Sequence, residues 1–128
     1  MQTVPHSPTE GIYPATPDYV HALEVRAPSR FLFVAGTMGL DPAGVPGSTL
    51  AEQLDLVWSN LRTILSAADM TVDNIVRLTS YLRDPSYADA NAAARTAALG
   101  GRAIPTTAVV VNTLAEYWLV ELEIIAAD

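Results

Sequence analysis

The run WLVELEIIA, Trp118 to Ala126, is almost wholly apolar yet carries Glu121 and Glu123. Alternate residues of a strand point to opposite sides of a sheet. Trp118, Val120, Leu122, Ile124 and Ala126 therefore share one apolar face, the side expected to pack on helices. Leu119, Glu121, Glu123 and Ile125 share the other. A solvated face accounts for the two carboxylates but not for Leu119 and Ile125, nor for Val109 and Val111 on the neighbouring run TTAVVVNT. A sheet that meets water on one side alternates cleanly. A second face that is apolar but dotted with carboxylates predicts contact with another subunit, where a buried carboxylate needs a partner or a task.

The remaining pattern predicts two helices and three more strands. Four prolines in residues 1–17 read as an extended arm. YVHALEV (19–25) and FLFVAG (31–36) read as strands of a hairpin, with Tyr19 and His21 on one face of the first. Thr49 and Glu52 have capping-box spacing. Beyond them Leu50, Leu54, Val57, Trp58, Leu61, Ile64, Leu65 and Ala68 form one stripe of a helix, which makes Trp58 a core anchor. DNIVRLTSYL (73–82) is a third strand. Asp84 or Ser86 caps an alanine-rich second helix that stops at Gly100-Gly101. The last two strands, 106–113 and 118–126, read as a second hairpin. The order β-β-α-β-α-β-β predicts a single α+β domain over residues 1–128, with two helices packed on one face of a mixed sheet.

Composition narrows the functional classes. The net charge is -7 and lysine is absent, so nothing provides the basic stripe that nucleic acid or an anionic membrane surface requires. There is no cysteine, and His6 and His21 alone make no zinc site, so no metal is expected. No apolar run reaches the ~18 residues of a membrane span, and the N-terminus does not read as a signal peptide. The expectation is a cytoplasmic protein with no nucleic-acid or membrane partner.

VELEIIA near the C-terminus, FLFVAGTMGLD, the stretch AEQLDLVWSNLRTILSAADMTVDNIVRLTSYLRD and IPTTAVVVNTL together resemble the reactive-intermediate deaminase (Rid, or YjgF-like) family. The resemblance covers about Tyr19 to Ala126. It implies a chorismate-mutase-like fold, a homotrimer with small-molecule sites in clefts between subunits, hydrolysis of reactive enamines and imines, and no cofactor. It places Tyr19 at the pocket tyrosine, Gly36 at the glycine whose backbone lines the pocket, and Asn91 at a helix asparagine near the site. It places Glu121 at the glutamate that orients the attacking water. A carboxylate beside an imine carbon can accept a proton from water and return one to the departing amine.

The chain departs from that family at two positions. The arginine that clamps a substrate carboxylate is Thr107 here, and a pocket serine is Ala35. Threonine brings no charge, whereas guanidinium binds carboxylate bidentately. Imines with a free carboxylate are therefore expected to be poor substrates unless another arginine, such as Arg102 in the GGRAIP loop, takes over. His21, a residue type suited to acid–base chemistry, and Trp118 at the last turn are further candidates for substrate contact. The expected function is a divergent Rid-family enzyme acting on a small imine, enamine or related carbonyl compound through Glu121. The alternative is a non-catalytic trimer of the same fold that binds small metabolites or partner proteins. A ribonuclease reading fits poorly with an acidic chain that has no lysine.

Overall fold

A computed structural model describes all 128 residues. The chain runs β1 (Gln2–His6), β2 (Ala22–Arg26), β3 (Phe31–Met38), α1 (Leu50–Ala67), β4 (Ile75–Leu82), α2 (Ala88–Ala98), β5 (Thr106–Val110) and β6 (Val120–Ala127). A four-stranded mixed sheet has the order β3-β6-β4-β5, and β1 and β2 form a separate antiparallel ribbon. This is the predicted α+β architecture, with the helices on one face of the sheet.

The helix start is where the sequence puts it. Thr49 is the N-cap and its hydroxyl accepts from the Glu52 N–H at 3.2 Å. Glu52 does not complete the reciprocal bond to Thr49. Its carboxylate takes the Ser48 N–H at 2.8 Å and the Ser48 hydroxyl at 2.7 Å instead. These bonds hold the Glu52 carboxyl below its ordinary pKa, the Ser48 hydroxyl contributing most. One face of α1 buries Leu54, Val57, Trp58, Leu61 and Leu65 against Leu78, Leu82, Val120, Leu122, Ile124 and Ala126 of the sheet. Each such side chain contributes about 1.5–3 kcal/mol by leaving water.

Two connections and the N-terminal arm differ from the sequence reading. The first hairpin does not form: β2 pairs with β1, from Gln2 opposite Arg26 to His6 opposite Ala22. The chain leaves β2 through Ala27, at φ 50, and Pro28, so β3 turns away to pair with β6. The N-terminal arm is extended but is not free, because an edge strand tolerates Pro5 where an interior strand would not. His6 consequently also lies in the folded part, with Nε2 3.0 Å from a Glu24 carboxylate oxygen.

The last hairpin does not form either. β5 pairs parallel with β4, and β6 pairs antiparallel with β4 on the other side. The α2 crossover between β4 and β5 is what a parallel pair requires. The segment between β5 and β6 is held by buried polar side chains. Arg83 donates to the Thr113 carbonyl at 3.0 Å and to its hydroxyl at 2.9 Å, and the Thr113 hydroxyl donates to the Trp118 carbonyl at 2.7 Å. Gln53, only 2% exposed, donates to the Gly47 and Tyr117 carbonyls at 2.9 and 2.8 Å and accepts from the Leu119 N–H at 2.9 Å. The sequence reading missed Gln53 because a glutamine beside an apolar stripe looks like helix surface.

The predicted parity of β6 holds. Val120, Leu122, Ile124 and Ala126 are buried beneath the helices, while Glu121, Glu123 and Ile125 face the other way. That other face is bare in the single chain. Phe33 is 75% exposed and Phe31 51% on β3, and Val109 is exposed on β5.

Candidate functional site

The strongest local feature is a bulge in β3. Val34 pairs with Ile124 and Thr37 with Leu122, so Ala35 and Gly36 together oppose the single residue Glu123. An extra residue of this kind re-aims the strand and is common beside functional sites. The Thr37 hydroxyl ties the bulge by donating to the Ala35 carbonyl at 2.9 Å. Beyond it, Asn60 of α1 donates to the Met38 and Leu40 carbonyls at 3.0 and 2.9 Å, which anchors the strand end to the helix.

Glu121 lies opposite Met38 on one side and Tyr81 on the other. Its carboxylate folds over the bulge. A Cβ at Gly36 would overlap Oε1 of Glu121 and come within 3.0 Å of its Cδ. The missing side chain at Gly36 is therefore what lets this half-buried carboxylate approach the β3 backbone. Ala35 is exposed at the outer side of the same bulge, and an open groove of about 470 Å³ runs from Ala35 and Gly36 to Asn60 and Thr63.

A second group gathers at the β5 edge. Tyr19 forms a parallel bridge with Ile104 just before β5 and is not part of β2, as the sequence had suggested. Its ring still meets that of His21 edge-on, with centroids 5.8 Å apart, and Tyr13 meets His21 from another direction at 5.3 Å. Both His21 ring nitrogens are buried without a hydrogen-bond partner. Arg95, 8% exposed, donates to Asp18, the residue before Tyr19, at 2.5 Å and to the Thr106 hydroxyl at 2.8 Å. Asn91, one turn earlier on α2, is 4% exposed and its Oδ1 has no partner. The buried stripe of α2 is thus partly polar: Asn91, Arg95 and then Leu99 at the helix end. Asp18 and Arg95 were not singled out from the sequence. An arginine four residues after an asparagine on an alanine helix was the available signal.

Thr107 lies on the bare face of β5, two strands from β6 and level with Thr79 and Glu123. With strands ~4.8 Å apart and ~3.4 Å per residue, it is about 12 Å from Glu121. Its hydroxyl accepts from Arg77 of β4 at 3.0 Å. Four residues along β4, the Tyr81 hydroxyl donates to Glu123 at 3.1 Å, which raises the Tyr81 pKa above its ordinary value near 10.0. Arg102 is committed elsewhere: it donates to the Val72 and Ile75 carbonyls at 2.8 and 2.9 Å, well away from the bare face, and burial lowers its pKa. It is a loop clamp and supplies no guanidinium at Thr107. Trp118 is half-buried in the turn before β6, where its N–H donates to the Ala115 carbonyl at 3.0 Å.

Within one chain, then, Glu121 meets Gly36, Tyr19 meets His21, and Arg95 meets Asp18, the residue before Tyr19. Thr107 and Trp118 join neither group. No set of three or more His, Cys, Asp or Glu side chains converges as metal ligands would, and no helix is long and apolar enough to cross a membrane.

A mixed sheet with two helices is the architecture of the Rid and YjgF-like proteins it superposes on. A family model described as Endoribonuclease L-PSP matches residues 11–128, and the chain belongs to this family, which includes the Rid and YjgF-like proteins. A RutC family protein from Pyrococcus horikoshii, PH0854, is 32% identical over 101 residues, covering 76% of this chain and 79% of that protein. The RutC family protein YjgH of Escherichia coli is 39% identical over 54 residues, a match spanning 42% of this chain and 41% of that relative. A protein of unknown function from the Rid family of Yersinia pestis superposes with a TM-score of 0.81 at 30% identity, covering 99% of both chains.

Proposed function

We propose that the chain is a divergent Rid-family enzyme that hydrolyses, or otherwise acts on, a small imine, enamine or related carbonyl compound, with Glu121 positioning water or a proton. The observation that carries this reading is the seating of the Glu121 carboxylate over Gly36 at the β3 bulge. A carboxylate fixed against backbone at a strand bulge can accept a proton from a water beside it and return it to a leaving nitrogen.

The proposed assembly is a homotrimer. Its support is the bare sheet face with exposed Phe31, Phe33 and Val109, and the separation of the expected site into two groups at opposite sides of the sheet. A head-to-tail cyclic contact sets the β3 side of one copy against the β5 edge of the next, which would join Glu121 to Tyr19 and Asn91. Light scattering should report about three times the 13.6 kDa chain mass; a mass near one chain contradicts the assembly.

The test of the activity is ammonia release from a panel of freshly generated imines, with and without a free carboxylate. A second reading has one observation in its favour. With Thr107 holding Arg77 where the family clamp would stand, the site could bind a metabolite without turning it over. Saturable binding with no release of ammonia or other product from any compound in the panel would favour that reading.

A further inference from the structure

Tyr19 and His21 are carried by a segment that is sparsely joined to the rest of the chain. Residues 1–26 include the β1–β2 ribbon, which shares no strand pairing with the four-stranded sheet. Two hydrogen-bonded ties connect this segment to the body of the protein. The first is the bridge between Tyr19 and Ile104, where the Val20 N–H donates to the Ile104 carbonyl at 3.4 Å. That is long for an N–H···O bond, so it holds the segment weakly. The second is the bond from Arg95 to Asp18 at 2.5 Å. A short bond between opposite charges is the stronger of the two.

The Arg95 guanidinium works in two directions at once. One terminal nitrogen donates to Asp18, and the other donates to the Thr106 hydroxyl at 2.8 Å. Asp18 immediately precedes Tyr19, and Thr106 immediately precedes Thr107. Arg95 therefore fixes to α2 both stretches of chain that carry candidate substrate contacts. The far oxygen of Asp18 accepts from the Thr16 hydroxyl, and the Tyr19 N–H donates to the Thr16 carbonyl at 3.3 Å. The turn that presents Tyr19 is thus closed on itself and clamped as a unit. Nothing else on α2 could do this. Its remaining residues are alanines with Asp89, Asn91 and Thr96, and none has a long stem ending in a planar fork of donors.

We propose that Arg95 is a positioning residue of the site: by clamping Asp18 and Thr106 it sets where Tyr19 and His21 stand against the start of β5. It acts through those neighbours and does not itself touch the substrate. This role rests on the catalytic reading above.

The experiment combines amide hydrogen exchange with steady-state kinetics on the full chain in its solution assembly. In Arg95→Gln, exchange across residues 16–21 should quicken about tenfold or more while α1 and β6 stay protected. On the panel imine that the wild type hydrolyses fastest, KM should rise about tenfold in Arg95→Gln, with kcat changed far less. Arg95→Lys should fall between, because an ammonium keeps the charge but not the fork. Thr106→Val, which removes one arm of the clamp, should raise KM, and Thr106→Ser should restore it. This pair carries the same comparison if Arg95→Gln does not fold. Loss of folded protein lowers apparent kcat and leaves KM alone, so an arginine that serves folding only gives the reverse pattern. Unchanged exchange across 16–21 overturns the clamp. Faster exchange with unchanged KM overturns the positioning role and leaves a structural tie. A changed assembly mass in Arg95→Lys and Thr106→Val assigns Arg95 to a subunit contact and also overturns it. A wild type that hydrolyses nothing in the panel overturns the catalytic reading and this role with it, while exchange still reports separately whether the clamp holds.

Discussion

The carboxylate of Glu121 occupies the space that a side chain at Gly36 would fill. The two residues are on adjacent strands, and the bulge at Ala35 and Gly36 brings the β3 backbone under the carboxylate. Gly36 is required here for close approach and not for an unusual backbone angle, since its φ is not among the positive ones. Gly36→Ala should therefore displace a flexible carboxylate end, at little cost to folding. Turnover should fall by an order of magnitude or more while the thermal midpoint shifts by no more than a few degrees. A large loss of stability with unchanged turnover would show that the glycine serves the sheet alone.

Tyr81 supplies a pH-dependent probe of the bare face. The hydrogen bond to Glu123, followed by the negative charge of that carboxylate, raises the phenol pKa above its ordinary value near 10.0. A folded pKa above the unfolded one means that the contribution to stability is present below the ordinary phenol pKa. It is lost as pH rises through the folded value. In a UV absorbance titration one tyrosine should ionise later than the ordinary range, and Glu123→Gln should bring it back. An unchanged titration in the variant would show that the hydroxyl does not meet Glu123 in solution.

Asp18 and Arg95 give the opposite sign. The Thr16 hydroxyl, the Asp18 backbone and the Arg95 guanidinium together hold the Asp18 carboxyl below its ordinary value, against a smaller opposing effect of burial. The resulting stability is present above the unfolded carboxylate pKa of about 4 and is lost as pH falls through the lower folded value. Arg95 is buried, so Asp18→Asn removes its charge partner. We expect a loss of about 1–2 kcal/mol at neutral pH, the low end because the Asp18 side chain is 40% exposed. Denaturant unfolding should show the wild type and variant converging in acid; a constant gap would contradict the pairing.

The sequence made legible whatever rests on local periodicity. The α1 stripe apart from the exposed Ile64, its Thr49 cap, the burial of Trp58 and the inward and outward parity of β6 could all be read from spacing, because helices and strands repeat every 3.6 and 2 residues. Strand partners were less legible. Runs 19–25 and 31–36 look like a hairpin because they are close in sequence, yet β3 pairs with β6, some ninety residues away. The same applies to β5, whose partner is decided by the α2 crossover and not by the short link to β6. Of the candidate site, the family resemblance named Gly36 and Glu121 but not the contact between them. The Arg77–Thr107 bond was not legible either: the parity of VRLTSYL puts Arg77, Thr79 and Tyr81 on one face, but that Thr107 shares it depends on the β4–β5 pairing.

The central claim is that Glu121 handles water or a proton at the bulge. It is tested most directly by comparing wild type and Glu121→Gln for ammonia release across the imine panel, with melting curves recorded alongside. The amide keeps the shape of the carboxylate but cannot accept a proton, so turnover should drop by about two orders of magnitude or more with the melting midpoint nearly unchanged. Turnover at the wild-type rate in Glu121→Gln would contradict the account.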